Sequence, residues 1–202
     1  MTDAGPGRPA VFLDRDGVIN EQMGYINHES RFVLLPGVAG AIRRLNRAGL
    51  AVVVATNQSG LARGYFPESL LEAVHEKLRH ELARADAHLD GIHVCPHLPE
   101  AKVAAFRRDC DCRKPKPGLL LRAAADLGLD LSRSYMVGDR YQDIRCGLAA
   151  GTKTVLVRTG YGRGEERYIG PAAGVRPDAV VEDLPEAAAW ILRDAGMEAG
   201  LG

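Results

Sequence analysis

The sequence predicts an α/β fold built on a doubly wound parallel sheet, and three observations carry that reading. Short apolar runs recur along the chain without polar alternation, the pattern of strands covered on both faces. Helix-type segments lie between them, and strands alternating with helices build parallel βαβ units. Pro stands at the start and Gly at the end of several helices, where each is best tolerated.

Taken in order, Ala10–Leu13, Ala51–Ala55, Tyr135–Val137, Thr154–Val157 and Ala179–Val181 read as strands. Gly37–Ala48 follows Pro36 and stops at Gly49, and Glu68–Ala85 opens after Pro67. Gly118–Leu127 follows Pro117 and stops at Gly128; Tyr141–Ala150 stops at Gly151, and Pro185–Arg193 closes the series. Gly160–Gly164 (GYGRG) follows a strand but opens no clear helix, so it reads as a flexible connector rather than a phosphate loop. These segments predict a disordered start over residues 1–9 and a single domain over 10–195, with a metal-binding loop at 95–112.

Bulk properties exclude several classes. The chain has 202 residues, enough for one sizeable core. Lys plus Arg and Asp plus Glu both number 26, so no global basic field points to nucleic acid. No apolar run approaches the roughly 20 residues that span a bilayer, and the Gly- and Pro-rich start lacks a signal-peptide core. A cytoplasmic protein is expected, in which four cysteines serve as free thiols or metal ligands.

The chemistry starts at Asp14-Arg15-Asp16-Gly17, directly after the first strand, where parallel strands open their binding crevice. A carboxylate is ionised at neutral pH and needs no base to attack phosphorus. Asp16, two residues on, returns to the same side of an extended chain and can move protons. Thr56-Asn57-Gln58-Ser59 follows the second strand and offers a hydroxyl and N–H groups to phosphate oxygens. Lys114 offers a point charge, and Asp139 an oxygen ligand for Mg²⁺. Asp143 reads equally as a supporting acceptor or as a first-turn helix carboxylate. Arg15, Asn20, Gln22, Met23, Asn57, Gln58, Ser59, Arg113 and Arg140 complete the candidates as substrate contacts.

Cys95-Pro96-His97 and Cys110-Asp111-Cys112 supply three thiolates and an imidazole, a closed tetrahedral Zn²⁺ set with no place for water. The predicted role is structural. His93 is the rival ligand, since positions 93, 95 and 97 face one way along an extended segment. Cys146, in a helix of small residues, reads as a buried apolar side chain. Because Cys112 precedes Arg113 and Lys114, an ordered loop would hold both cations at the mouth.

In this order DxDG, a strand-end Thr, a Lys and GDxxxD resemble the haloacid dehalogenase superfamily, phosphatase branch. The runs FLDRDGVIN, GYI, VATNQSGLARGYF, CPH, CDCRKPKPG and YMVGDR resemble, more narrowly, the heptose-bisphosphate phosphatase family. The resemblance implies hydrolysis of a sugar bisphosphate's 7-phosphate through an aspartyl-phosphate. Asp14 would be nucleophile, Asp16 acid and base, and Thr56 and Lys114 phosphoryl stabilisers. Arg113 would select the substrate, and Asp14, the Asp16 carbonyl and Asp139 would hold Mg²⁺. No large cap domain is predicted, so the cap is minimal; the resemblance further implies a monomer and a place in lipopolysaccharide or glycoprotein-sugar synthesis. The family pattern has Lys where this chain carries Arg140, which keeps the cation, and Asp and His where it carries Gln22 and Met23, which leaves the anomer and the exact sugar open. Histidinol-phosphate phosphatase is the nearest enzymatic alternative, but Arg113 and Arg140 suit a second phosphate better than a cationic amino alcohol. A catalytically idle sugar-phosphate binder would not need all four catalytic groups. Repair of DNA ends would call for a basic track with aromatic interleaving, against an aromatic content of 5%.

Overall fold

A computed structural model of the chain describes residues 7–197. The first strand, β1 (Ala10–Leu13), is completely buried. The chain then runs through α1 (Val38–Arg47), β2 (Ala51–Asn57), the short α2 (Gly60–Arg63), α3 (Glu68–Ala83) and β3 (Gly91–Cys95). It continues with α4 (Gly118–Leu127), β4 (Tyr135–Gly138), α5 (Tyr141–Ala150), β5 (Lys153–Val157), the single turn α6 (Gly162–Gly164), β6 (Ala179–Val181) and α7 (Leu184–Asp194). The predicted strands and long helices are all present, with ends displaced by up to two residues.

The six strands form one parallel sheet in the order β3-β2-β1-β4-β5-β6. The chain winds outward from β1 through β2 to β3, then returns beside β1 as β4. The switch point therefore lies between β1 and β4, where open α/β sheets bind ligands. Period-two alternation divides the core between the two faces. Val11, Leu13, Val52 and Val54 pack with α1, α3 and α7, whereas Phe12, Val53 and Met136 pack with α4 and α5.

One strand was not predicted. β3 sits at the sheet edge and is half-buried over Gly91–Val94, and His93 interrupts the apolar run of Gly-Ile-His-Val-Cys. Of the disordered start expected over residues 1–9, positions 1–6 lie outside the described residues. Arg8, by contrast, pairs with Leu129 in an isolated bridge and reaches Asp90 at 2.7 Å.

Candidate active site

The sheet register sets the floor of the site. Asp14 leaves β1 by donating its N–H to the Val137 carbonyl at 3.0 Å, which fixes it at the β1–β4 switch point. Asp139 follows β4 directly. Lys114 is fully buried between carboxylates, its Nζ 3.0 Å from Asp14 Oδ1 and 2.7 Å from Asp143 Oδ1. Desolvation alone would lower the ammonium's pKa, but the charges of Asp14 and Asp143 outweigh it and hold it above the usual lysine value. Asn57 clamps the Lys114 backbone, donating Nδ2 to its carbonyl and accepting its N–H, both at 3.1 Å.

Three carboxylates around one ammonium leave excess negative charge. Burial, then the charges of Asp14 and Asp143, push Asp139 up to about 8. Burial likewise raises Asp143 to about 6, against the pull of Lys114. Asp139 Oδ1 is buried without a hydrogen-bond partner, and oxygens of Asp14, Asp139 and Asp143 lie within 4.8 Å of one another. An unpaired oxygen in an all-oxygen set fits a hard divalent cation such as Mg²⁺. Asp143 turns out to fill both roles left open. Its Oδ2 accepts the Arg140 N–H at 3.1 Å as an α5 cap, while Oδ1 faces Lys114.

Asp16 is held differently. It accepts from Asn20 Nδ2 at 2.9 Å, Gln58 Nε2 at 2.8 Å and Arg15 at 2.9 Å. Burial pushes its pKa up, but the Arg15 charge and these donors together keep it below the usual carboxylate value.

The crevice above this floor is polar. Asp14, Asp16, Gln22, Thr56, Asn57, Ser59, Arg113 and Arg140, all predicted, line it together. Four predicted contacts belong elsewhere. Arg15, 1% exposed, lies behind Asp16, because alternation sends position 15 opposite to 14 and 16. Asn20 and Gln58 are buried and spend their amides on Asp16, and Gln58 also donates to Thr56 Oγ1 at 3.0 Å. Met23 lines an adjoining depression with Tyr25 and Tyr65. Tyr25, Gln142 and Tyr161, which the sequence reading missed, line the crevice itself.

Tyr161 belongs to the segment read as a connector, and the structure corrects that reading. Gly160–Gly164 runs into helix α6 and a π-turn over Glu165–Ile169. The Tyr161 N–H donates to Asp139 Oδ2 at 2.9 Å, and Thr159 Oγ1 donates to the Gly17 carbonyl at 2.6 Å. Gly17 and Gly160 have φ of +88° and +56°, and a Cβ on either would stand 2.2 Å from Asp139 Oδ2. Only glycine allows both chains so near that carboxylate. Arg140, on the rim, is held by Glu165 at 3.3 Å and lies 5.1 Å from the Tyr161 ring centroid.

A second cluster lies on the loop leading to Lys114. Cys112 Sγ is 3.2 Å from Cys95 Sγ, 3.3 Å from Cys110 Sγ and 3.3 Å from His97 Nδ1. Burial raises the pKa of Cys95 and Cys112, a cost that a bound cation would reverse. Three sulfurs and one imidazole nitrogen at this spacing match a closed zinc set. His97, not His93, joins the thiols among the described residues. The His97 carbonyl accepts from Arg113 at 3.3 Å, so the cluster's backbone also holds the rim cation. Cys146 is buried among apolar groups between α5 and the sheet, as expected.

Comparison with known proteins agrees with this geometry. Residues 111–187 match the HAD-hydrolase-like family model. The D-glycero-β-D-manno-heptose-1,7-bisphosphate 7-phosphatase of Escherichia coli (strain K12) is 48% identical over 184 residues, covering 89% of this chain and 93% of the relative. The protein of the same name from Haemophilus influenzae is 47% identical over 152 residues, covering 75% and 82%. The crystal structure of the D,D-heptose 1,7-bisphosphate phosphatase from B. bronchiseptica, complexed with magnesium and phosphate, superposes with a TM-score of 0.81 at 38% identity, covering 92% of this chain and 99% of that one. At that identity and coverage, and with the acids, lysine and thiol loop in place, the chain belongs to the heptose-bisphosphate phosphatase family of haloacid-dehalogenase-like hydrolases.

Proposed function

We propose that the chain removes the 7-phosphate of D-glycero-β-D-manno-heptose 1,7-bisphosphate and releases heptose 1-phosphate. One observation carries the reading: Asp14 and Asp16 open into a single polar crevice whose rim carries Arg113 and Arg140. A phosphoryl group fits beside the acids while a second anion meets the arginines, and an Arg fork suits a distal phosphate. The names of the bacterial relatives support this substrate and its β anomer.

In the first half-reaction an Asp14 carboxylate oxygen forms a bond to phosphorus as the bond to the sugar O7 breaks. Asp16 gives that leaving oxygen its proton. In the second half, Asp16 takes a proton from the attacking water, and the P–O bond to Asp14 breaks to free inorganic phosphate. Asp16 rests ionised, the form the second half needs; an arriving phosphate anion raises its proton affinity and so favours the acid form. The Thr56 hydroxyl and Lys114 serve the phosphoryl oxygens.

Magnesium would be held by Asp14, the Asp16 carbonyl and Asp139, and would neutralise charge on the transferring group. Zinc would be held by Cys95, His97, Cys110 and Cys112 in a purely structural role. The same reading takes residues 10–195 as one domain of a cytoplasmic monomer. Among the described residues no helix is long and apolar enough to cross a membrane. Phosphorus NMR of the products tests the proposal: the sugar 1-phosphate signal should persist while the 7-phosphate converts to inorganic phosphate. Loss of the 1-phosphate instead would refute it.

A further inference from the structure

Asp16 faces the crevice with its carboxylate, but one of its anchors stands behind it. The Arg15 guanidinium, 1% exposed, straddles that carboxylate with Nη2 at 2.9 Å from Oδ2 and 3.1 Å from Oδ1. Its Nη1 meets His75 Nε2 at 3.4 Å, and its Nε has no partner. His75 therefore supplies the one side-chain acceptor besides Asp16 that Arg15 has among the described residues.

The direction of that hydrogen bond is fixed by chemistry. A guanidinium only donates, so Nε2 must carry the lone pair and the imidazole proton sits on Nδ1. His75 is 3% exposed, between the buried Val74 and Leu78 neighbourhoods of α3. Burial, reinforced by the Arg15 charge, pushes its pKa down to about 4, so it is neutral and able to accept at neutral pH. The contact joins positions 60 residues apart, from a helix anchored in the core to a side chain on the other flank of the acid.

We propose that His75 is a positioning residue for proton transfer: through Arg15 it fixes the angle at which the Asp16 carboxyl is presented. The inference rests on Asp16 being the acid and base. Without an acceptor at Nη1 the guanidinium keeps a single anchor and can pivot, carrying the carboxyl with it. Displacements of about 1 Å at a reacting group can cost on the order of 100-fold in rate. Neither His75 nor Arg15 lines the crevice, so substrate binding should be spared.

The test is steady-state kinetics of His75→Gln and His75→Asn on the sugar bisphosphate, with folding checked by circular dichroism. A Gln amide oxygen reaches the place of Nε2, whereas the shorter Asn does not. His75→Asn should lower kcat about tenfold with KM within about twofold, and His75→Gln should stay within about threefold of wild type. In an Arg15→Lys background, His75→Asn should add no further loss. Equal behaviour of the Gln and Asn variants, or a loss confined to KM, would overturn the inference. Asp16→Asn measured alongside separates the two levels. If it retains turnover, the acid/base assignment falls; if it is inactive while Gln and Asn behave alike, only the role of His75 falls.

Discussion

Lys114 stands between two clusters of side chains able to hold a metal, and the two are made in opposite ways. On one side, Asp14 and Asp139 leave neighbouring strands whose register pairs Leu13 with Val137. The sheet alone brings those carboxylates together. On the other side, only Cys95 ends a strand, while His97, Cys110 and Cys112 ride on irregular chain. Their thiols crowd to 3.2–3.6 Å, a spacing that suits a shared ion. The fold thus preorganises the acids, whereas the loop that carries Arg113 would depend on a bound metal for its order.

Breaking the first cluster should give the largest effect. Asp14→Asn should lower kcat by on the order of 10⁴-fold or more, with the circular dichroism spectrum and Tm little changed. Wild-type phosphate release by that variant would contradict the nucleophile assignment. Breaking the second should act on stability first. Zinc chelation or Cys112→Ser should cost about 3 kcal/mol or more, a fall in Tm of roughly 6–12 °C. Magnesium removal should instead abolish turnover while barely moving Tm, and calorimetry with each chelator reads the contrast.

A third prediction sharpens the claim that the acid side is fixed by packing. Arg15, Glu72, Arg79 and Asp16 supply the charges around His75, whose pKa falls from 6.5 to about 4 on folding. The unfolded chain therefore binds the proton first as pH drops. Stability should be full above 6.5 and decline toward 4, by up to roughly 3 kcal/mol. Denaturant titrations of wild type and His75→Gln should differ by that slope. The smallest effect belongs to the rim. Arg140→Met should raise KM for the bisphosphate about tenfold, about 1.4 kcal/mol, with little change in kcat.

Much of this architecture was legible because buried parallel strands cannot hide their apolar runs, and strand ends place Asp14, Thr56 and Asp139. His93 in the middle of β3 broke its apolar run, whereas β6, at the other edge, kept an unbroken Ala-Val-Val. Adjacency made Arg15 look like a site residue, yet backbone alternation turns it away from the crevice. Its partner His75 is 60 residues away, beyond the reach of any local pattern. GYGRG misled for the opposite reason: its role is a backbone N–H to Asp139 and a close approach to Gly17, and neither depends on a recognisable side chain. Asp143 could not be assigned until Lys114 and the Arg140 N–H were seen on its two oxygens.

If preformed acids meet one phosphate while a metal-ordered rim selects a substrate carrying a second, a bisphosphate must be turned over in preference to a monophosphate. The most direct test compares kcat/KM for D-glycero-β-D-manno-heptose 1,7-bisphosphate and for histidinol phosphate on the same zinc-loaded, magnesium-supplied protein. A preference of at least about 100-fold for the bisphosphate, roughly 2.7 kcal/mol of differential binding in the transition state, is predicted. Equal values, or a preference for histidinol phosphate, would contradict it.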